Sequence, residues 1–283
     1  MNLKKIDQLI PPVLLLLGRR FVQKLRREAP EWEYMPMGWS TQDQRIKGWN
    51  DPSIVEAQEK RWSSFSKSLE GAGPLGVSLE SPTSTWSIEE HNTLMCYAYV
   101  LALAARRKDK LTILDWGGGA GHYYPISKAL LREVEIDYSC FDEPLLCKLG
   151  RRMLPEVEFY DTPESVLGKS YDLVVASSSL QYFEKWSEAI RKLASVTVGY
   201  LYVTRLPIVI RMPSFVVVQR PYRHGYKTEY LGWFLNRESF LLEAKQAGCE
   251  LIREFCISGM PIVKGAPEQG ESRGFLFRKE RSP

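Results

Sequence analysis

From about residue 90 onward the chain alternates short apolar runs with amphipathic helical stretches, and no other feature narrows its fold as far. The runs are Leu111 to Trp116, Glu135 to Asp142, Val157 to Asp161, Tyr171 to Ser177, Tyr200 to Thr204, Glu250 to Ile257 and Gly274 to Arg278. Helical patterns at 91–108, 123–133, 144–153, 184–195 and 237–248 lie before and between them. A parallel strand pair needs a crossover of a dozen or so residues, usually a helix, and this spacing supplies one each time. The pattern predicts an α/β fold: a Rossmann-like, doubly wound, mostly parallel sheet of seven strands. The last two runs are joined by SGMPIVKGAPEQGES (258–272) with no helical pattern, so the final strand is expected to be antiparallel.

Composition excludes several other classes. Apolar residues at 44% and charged residues at 25% match soluble globular proteins and rule out disordered, collagen-like and coiled-coil chains. No stretch approaches the roughly 18 consecutive apolar residues of a membrane-spanning helix. Five cysteines without a CxxC and three histidines without an HxxxH spacing indicate neither a disulfide framework nor a metal centre, and a reducing cytoplasm fits best.

Charge is segregated. Residues 1–30 carry seven Lys/Arg against two acids, whereas the remainder carries 31 basic and 32 acidic residues. Positive charge is not spread over the folded part, so nucleic acid is not expected as a partner. Within VLLLLGRRFVQKLRRE (13–28), Leu14, Leu17, Phe21 and Leu25 fall near one helical face, which predicts a basic amphipathic helix. It can dock on its own domain, or lie as a peripheral contact on the anionic inner face of a membrane. Pro11, Pro12, Arg19 and Arg20, with no small-residue cleavage site, argue against a signal peptide. Residues 31–90 hold five of the eight tryptophans, Trp32, Trp39, Trp49, Trp62 and Trp86. Rings of this size stay ordered by burying or binding something, so the segment is expected to form a mainly helical lid over the domain of residues 91–283.

The chemistry concentrates in ILDWGGGAG (113–121), which closes a strand and opens a helix. Gly117, Gly118, Gly119 and Gly121 allow a tight turn and a close approach of backbone to ligand. Asp142, at the end of the next strand and followed by Glu143, can accept both hydroxyls of a ribose. A dinucleotide fold puts a pyrophosphate on such a loop, and Asp115 would sit badly beside it. The same acid can hold an ammonium. A ligand with a ribose, an ammonium and no phosphate is S-adenosylmethionine.

These residues resemble the class I S-adenosylmethionine-dependent methyltransferases. Asp115, Gly117, Gly119 and Gly121 match the family's first motif, and Asp142 its ribose acid. The resemblance further implies that Asp161, in EFYD, lies near the adenine and that Ser177, Ser178, Gln181 and Tyr182, in SSSLQY, line the cofactor. LIPP, LDWGGGAG, FDEP, SSSLQY, VTRLP, VVVQ and NRESF also make the chain similar to a bacterial methyltransferase subfamily linked to surface-polysaccharide genes. That similarity implies a small or glycan-like acceptor in polysaccharide biosynthesis.

Methylating a hydroxyl calls for a proton acceptor. His224, in the polar loop RPYRHGYKTEY, is the first candidate and His122, after the glycine loop, the second. Arg205, Arg220 and Arg223 are candidates for holding an acceptor phosphate or carboxylate. Two other classes share parts of this pattern. An NAD(P)-dependent oxidoreductase is disfavoured by Asp115 and by the lack of a Tyr-xxx-Lys pair. A catalytically silent cofactor-binding or scaffold protein at the membrane is disfavoured by the intact glycines and ribose acid.

Overall fold

The computed structural model describes residues 30–39, 43–80 and 85–280. The amphipathic stretch expected over residues 1–30 lies outside them except for Pro30. Strand β1 (Trp32–Tyr34) and helix α1 (Pro52–Ser68) are followed by α2 (Ile88–Ala104), β2 (Lys110–Trp116), α3 (Tyr123–Leu130), β3 (Glu135–Phe141), α4 (Pro144–Met153), β4 (Glu158–Tyr160), α5 (Glu164–Leu167) and β5 (Tyr171–Ser177). Then come α6 (Trp186–Val196), β6 (Thr197–Val209), β7 (Phe215–Gln219), β8 (Tyr230–Asn236), α7 (Arg237–Gln246), β9 (Cys249–Gly259) and β10 (Glu271–Lys279), with single 3-10 turns at Leu180–Tyr182 and Tyr222–His224.

Strands β4, β3, β2, β5 and β6 lie side by side in parallel, and β10 pairs antiparallel with both β6 and β9. This is the doubly wound seven-stranded sheet expected from the sequence, antiparallel final strand included. Its central strands β2 and β5 and the middle of β6 are buried on both faces, so they read as continuous apolar runs. Side chains still alternate: Leu111, Ile113, Leu173 and Val175 join a core beneath α2 and α3, while Leu114, Val174 and Ala176 join one beneath α6 and α7. Each fully buried aliphatic side chain contributes roughly 1.5–3 kcal/mol to the fold.

The sheet then continues into a branch that the strand pattern did not predict. β6 is 13 residues long, and its last two residues, Ile208 and Val209, pair in parallel with β8. β8, β7 and β1 continue from there in antiparallel order. Trp32 thereby packs against Phe234 with ring centroids 6.0 Å apart, Trp39 stacks on Trp233, and Trp49 stacks on Tyr230 at 4.4 Å. Trp62 packs on Phe65, and Trp86 is exposed. Residues 31–90 therefore contribute to the sheet as well as a helix.

Helix α1 starts where Asp51 accepts the Ser53 N–H at 3.0 Å and Pro52 sets the first helical φ. Four buried residues, among them Ile54 and Gln58, face the domain. Among the described residues no helix is long and apolar enough to cross a membrane.

Candidate active site

Strand order reverses at β2, which has β3 on one side and β5 on the other, and ligands of open α/β sheets gather beyond the strand carboxyl ends at such a point. A cavity of about 360 Å³ opens there. Asp115, Gly117, Gly118, Gly119, Asp142 and Glu143 line it from the first two motifs. Asp161, Ser177, Ser178, Tyr182 and His122 line it as well, so most of the residues singled out in the sequence meet in one place. Gly121 is an exception: a Cβ there would lie 2.7 Å from Phe159, so this glycine serves the packing of α3.

Asp115 is fully buried at the floor of the cavity. Tyr138 donates its hydroxyl to Oδ2 at 2.7 Å, and Oδ1 has no partner. Burial pushes this carboxyl up to about 7, against the lowering effect of Tyr138. Asp142 accepts the Gly119 N–H on Oδ2 at 2.6 Å and the Glu143 N–H on Oδ1 at 2.7 Å. Asp142 thus staples the glycine loop to β3. Burial raises its carboxyl to about 6, with the two N–H donors opposing. Glu143 and Asp161 lie exposed at the rim. Gly119 has φ 62°, and a Cβ there would meet nothing nearer than Gln58, at 3.7 Å, so the backbone is open to the cavity.

The opposite wall is built by a distortion. Ser178 and Arg205 have φ of 51° and 52°, a conformation that costs a side-chain-bearing residue of order 1–3 kcal/mol. The pairing of β6 with β10 shifts register beside Arg205, between the partners of Arg273 and Phe275, and the irregularity turns the arginine toward the cavity. Its Nε donates to Ser177 Oγ at 3.0 Å, and its two terminal nitrogens donate to the two oxygens of Glu80 at 3.1 and 3.2 Å. Burial alone would raise the Glu80 carboxyl, but the guanidinium overcomes it and holds the group at about 2. Glu80, Gln58 and Trp49 come from the tryptophan-rich segment, and sequence reading missed all three as site residues. Glu80 lies 125 residues from its partner, and no local pattern signals such a pair.

A second cavity of about 190 Å³ adjoins the first and shares Trp49, Glu80, Ser178, Tyr182 and Arg205 with it. Gln181 and His224 line this cavity and not the first. Gln181 donates to Ser178 Oγ at 3.1 Å, and Tyr182 donates to Gln219 at 2.8 Å. His224 accepts from Arg223 Nε on Nε2 at 3.1 Å, leaving Nδ1 buried without a partner. Arg61 of α1 donates to the carbonyls of Glu80 and His224 at 2.8 and 2.6 Å, tying helix, loop and turn together. His122 sits beside the glycine loop, where burial pushes its imidazole down to about 4 despite the charge of Glu80.

The three arginines singled out in the sequence are all engaged by carboxylates. Arg205 pairs with Glu80, Arg223 with Glu31 at 2.8 Å, and Arg220 with Glu33 at 2.9 Å and with Glu229 at 3.2 Å. Arg220 lines neither cavity. It is buried beside Glu229, and Tyr222 donates to the same carboxylate, so this group braces β7 and β8.

No protein-family model matches the chain, and no curated protein matches it. Solved structures do. A candidate sarcosine dimethylglycine methyltransferase from Galdieria sulphuraria superposes with a TM-score of 0.50 at 13% identity, over 79% of this chain and 98% of the other. An S-adenosylmethionine-dependent methyltransferase from Clostridium acetobutylicum gives 0.44 at 8% identity, over 66% and 90%. A candidate methyltransferase from Bacillus halodurans gives 0.43 at 14% identity, over 65% and 99%. The first of these, at 13% identity, shows the Rossmann-like methyltransferase fold alone, and the activity has to be argued from the site.

Proposed function

We propose that the protein is an S-adenosylmethionine-dependent methyltransferase acting on a small or glycan-like acceptor. The observation that carries this reading is the unpartnered Oδ1 of buried Asp115 at the floor of the larger cavity. Five carboxyl groups, those of Glu80, Asp115, Asp142, Glu143 and Asp161, line that cavity against the one guanidinium of Arg205. Such a site repels a pyrophosphate and suits a ligand of net positive charge, which favours the sulfonium cofactor over a dinucleotide.

Asp115 would hold the ammonium, Asp142 the ribose hydroxyls, and the backbone at Gly117 and Gly119 would lie against the ligand. Phe141, Leu146 and Pro163 supply an apolar wall on which a flat base packs. When bound, S-adenosylmethionine supplies a methyl group on a positively charged sulfur, transferable in one displacement that leaves a neutral thioether. The chain has to align the acceptor, exclude water and take up the acceptor's proton. His122 lines the cavity and is held neutral at pH 7, but the burial that does so also makes it a weak base. His224 takes a hydrogen bond on Nε2, which places its own proton on Nδ1, so it accepts a proton only once Arg223 lets go.

Sequence resemblance supports a role in surface-polysaccharide synthesis. The basic surplus of residues 1–30 supports a cytoplasmic protein that touches the inner membrane face. Titration calorimetry with S-adenosylmethionine, S-adenosylhomocysteine and NAD tests the core of the proposal. The first two should bind and NAD should not. Asp142→Ala should bind S-adenosylmethionine at least about tenfold more weakly, since each lost hydrogen bond to a charged group is worth roughly 1.5–3 kcal/mol. Binding of NAD in place of S-adenosylmethionine would overturn the reading.

A further inference from the structure

The second cavity departs from what the sequence suggested about its arginines. Read alone, Arg205 and Arg223 look like clamps for an anionic acceptor. In the fold, both oxygens of Glu80 occupy the fork of Arg205, and Glu31 sits 2.8 Å from Nε of Arg223. The Arg205 pair is the better enclosed, with its side chains 17% and 33% exposed, whereas Arg223 is 63% exposed. The cancellation works in both directions. A cationic acceptor finds neither Glu80 nor Glu31 free of an arginine.

We infer that the second cavity is built for an acceptor without net charge, and that Glu80 and Glu31 set this specificity by cancelling the guanidinium groups of Arg205 and Arg223. The inference rests on the reading that the acceptor occupies this cavity beside the cofactor. The cavity, of about 190 Å³, has room for a small molecule such as a ring-sized alcohol. The remaining lining suits such a molecule. Ser272 and Gln219 provide polar groups, and Tyr226 and Tyr230 provide rings against which its apolar face can lie. Removing Glu80 would leave a guanidinium partly enclosed and uncompensated, ready to take an anion in its place.

The test is a titration of the full chain with inorganic phosphate and, separately, with methylammonium, followed by the imidazole NMR signal of His224. The sequence has only three histidines, so the signal is assigned by single substitutions of His91 and His122. The intact protein should show no saturable shift below about 5 mM of either ion, a range where binding is worth only about 3 kcal/mol. Glu80→Gln keeps the side-chain shape and should bind phosphate at least about tenfold more tightly than the parent. It is also made together with Glu90→Gln, since Glu90 is the other carboxyl acting on Arg205. Glu31→Gln, which frees Arg223, serves if Glu80→Gln does not fold. Saturable binding of either ion by the intact protein below about 5 mM overturns the inference, and so does a folded glutamine variant that gains no phosphate. Calorimetry with S-adenosylmethionine on the same samples tests the methyltransferase reading separately: failure there leaves the ion titrations readable.

Discussion

Tyr138 donates its hydroxyl to Oδ2 of Asp115, and this one bond is all that the protein offers a carboxyl sealed between β2, β3 and the glycine loop. An acid so placed costs the empty fold stability. Burial lifts its pKa to about 7, above its unfolded value of 3.8. A raised acid binds more protons folded than unfolded between those values, so it subtracts stability from the ligand-free protein as pH climbs from about 4 through 7.

The consequence for binding has the opposite sign. Only the carboxylate form of Asp115 attracts an ammonium, so affinity for S-adenosylmethionine should rise with pH and level off above about 7, with proton release on binding at pH 6. Calorimetry at pH 6 in buffers of differing ionisation enthalpy measures the released proton. Asp115→Asn should move the levelling-off point down to about 6, where Asp142 still titrates, weaken binding at least about tenfold and stabilise the ligand-free protein at pH 8. A pH-independent affinity in the parent protein would remove Asp115 from the ammonium site.

Two neighbouring glycines should respond differently to the same added methyl. A Cβ at Gly118 would lie 2.1 Å from Oδ2 of Asp115 and 2.8 Å from Sγ of Cys140, both buried. Gly118→Ala should therefore lose roughly 1–3 kcal/mol of stability or more, since neither neighbour can yield. At Gly119 the Cβ meets open cavity, and the cost is confined to a left-handed φ, roughly 1–2 kcal/mol. Gly119→Ala should fold, with its methyl in the path of the ligand, and should bind S-adenosylmethionine poorly. Thermal unfolding with and without the cofactor separates the two effects; a Gly119→Ala protein with full affinity would show that the ligand does not approach this peptide.

What could be read from the sequence was local. The span Tyr171 to Ser177 and the helix at 144–153 are found where their periodicity put them, and Asp115, the glycine loop and Asp142 lie within 28 residues of one another. β1, β7 and β8 escaped because the apolar run at 215–219 lies among Pro207, Pro213 and Pro221 and alternates with no helix. Its partners are set by tertiary pairing alone. The engagement of Arg205 by Glu80 escaped for a related reason: an ion pair across 125 residues leaves no periodic trace, and the two glutamates that decide the charge of the second cavity look like ordinary surface acids in the sequence.

Trp49 gives the site its own reporter. It lines both cavities, stacks on Tyr230 and meets Tyr182 edge-on at 5.1 Å, and its indole N–H is buried without a partner. A ligand entering either cavity meets this ring. Trp32, Trp39 and Trp62 pack on other aromatic rings; of these Trp32 lines the second cavity only and the other two line neither, and Trp86 is exposed. Intrinsic fluorescence should therefore shift on addition of S-adenosylmethionine, and Trp49→Phe should remove most of the shift while leaving binding detectable by calorimetry. The substitution keeps an aromatic face against Tyr230, so its stability cost should stay near 1 kcal/mol, the scale of one aromatic pair. A shift that persists in Trp49→Phe would move the responding tryptophan elsewhere and with it the wall that the ligand touches.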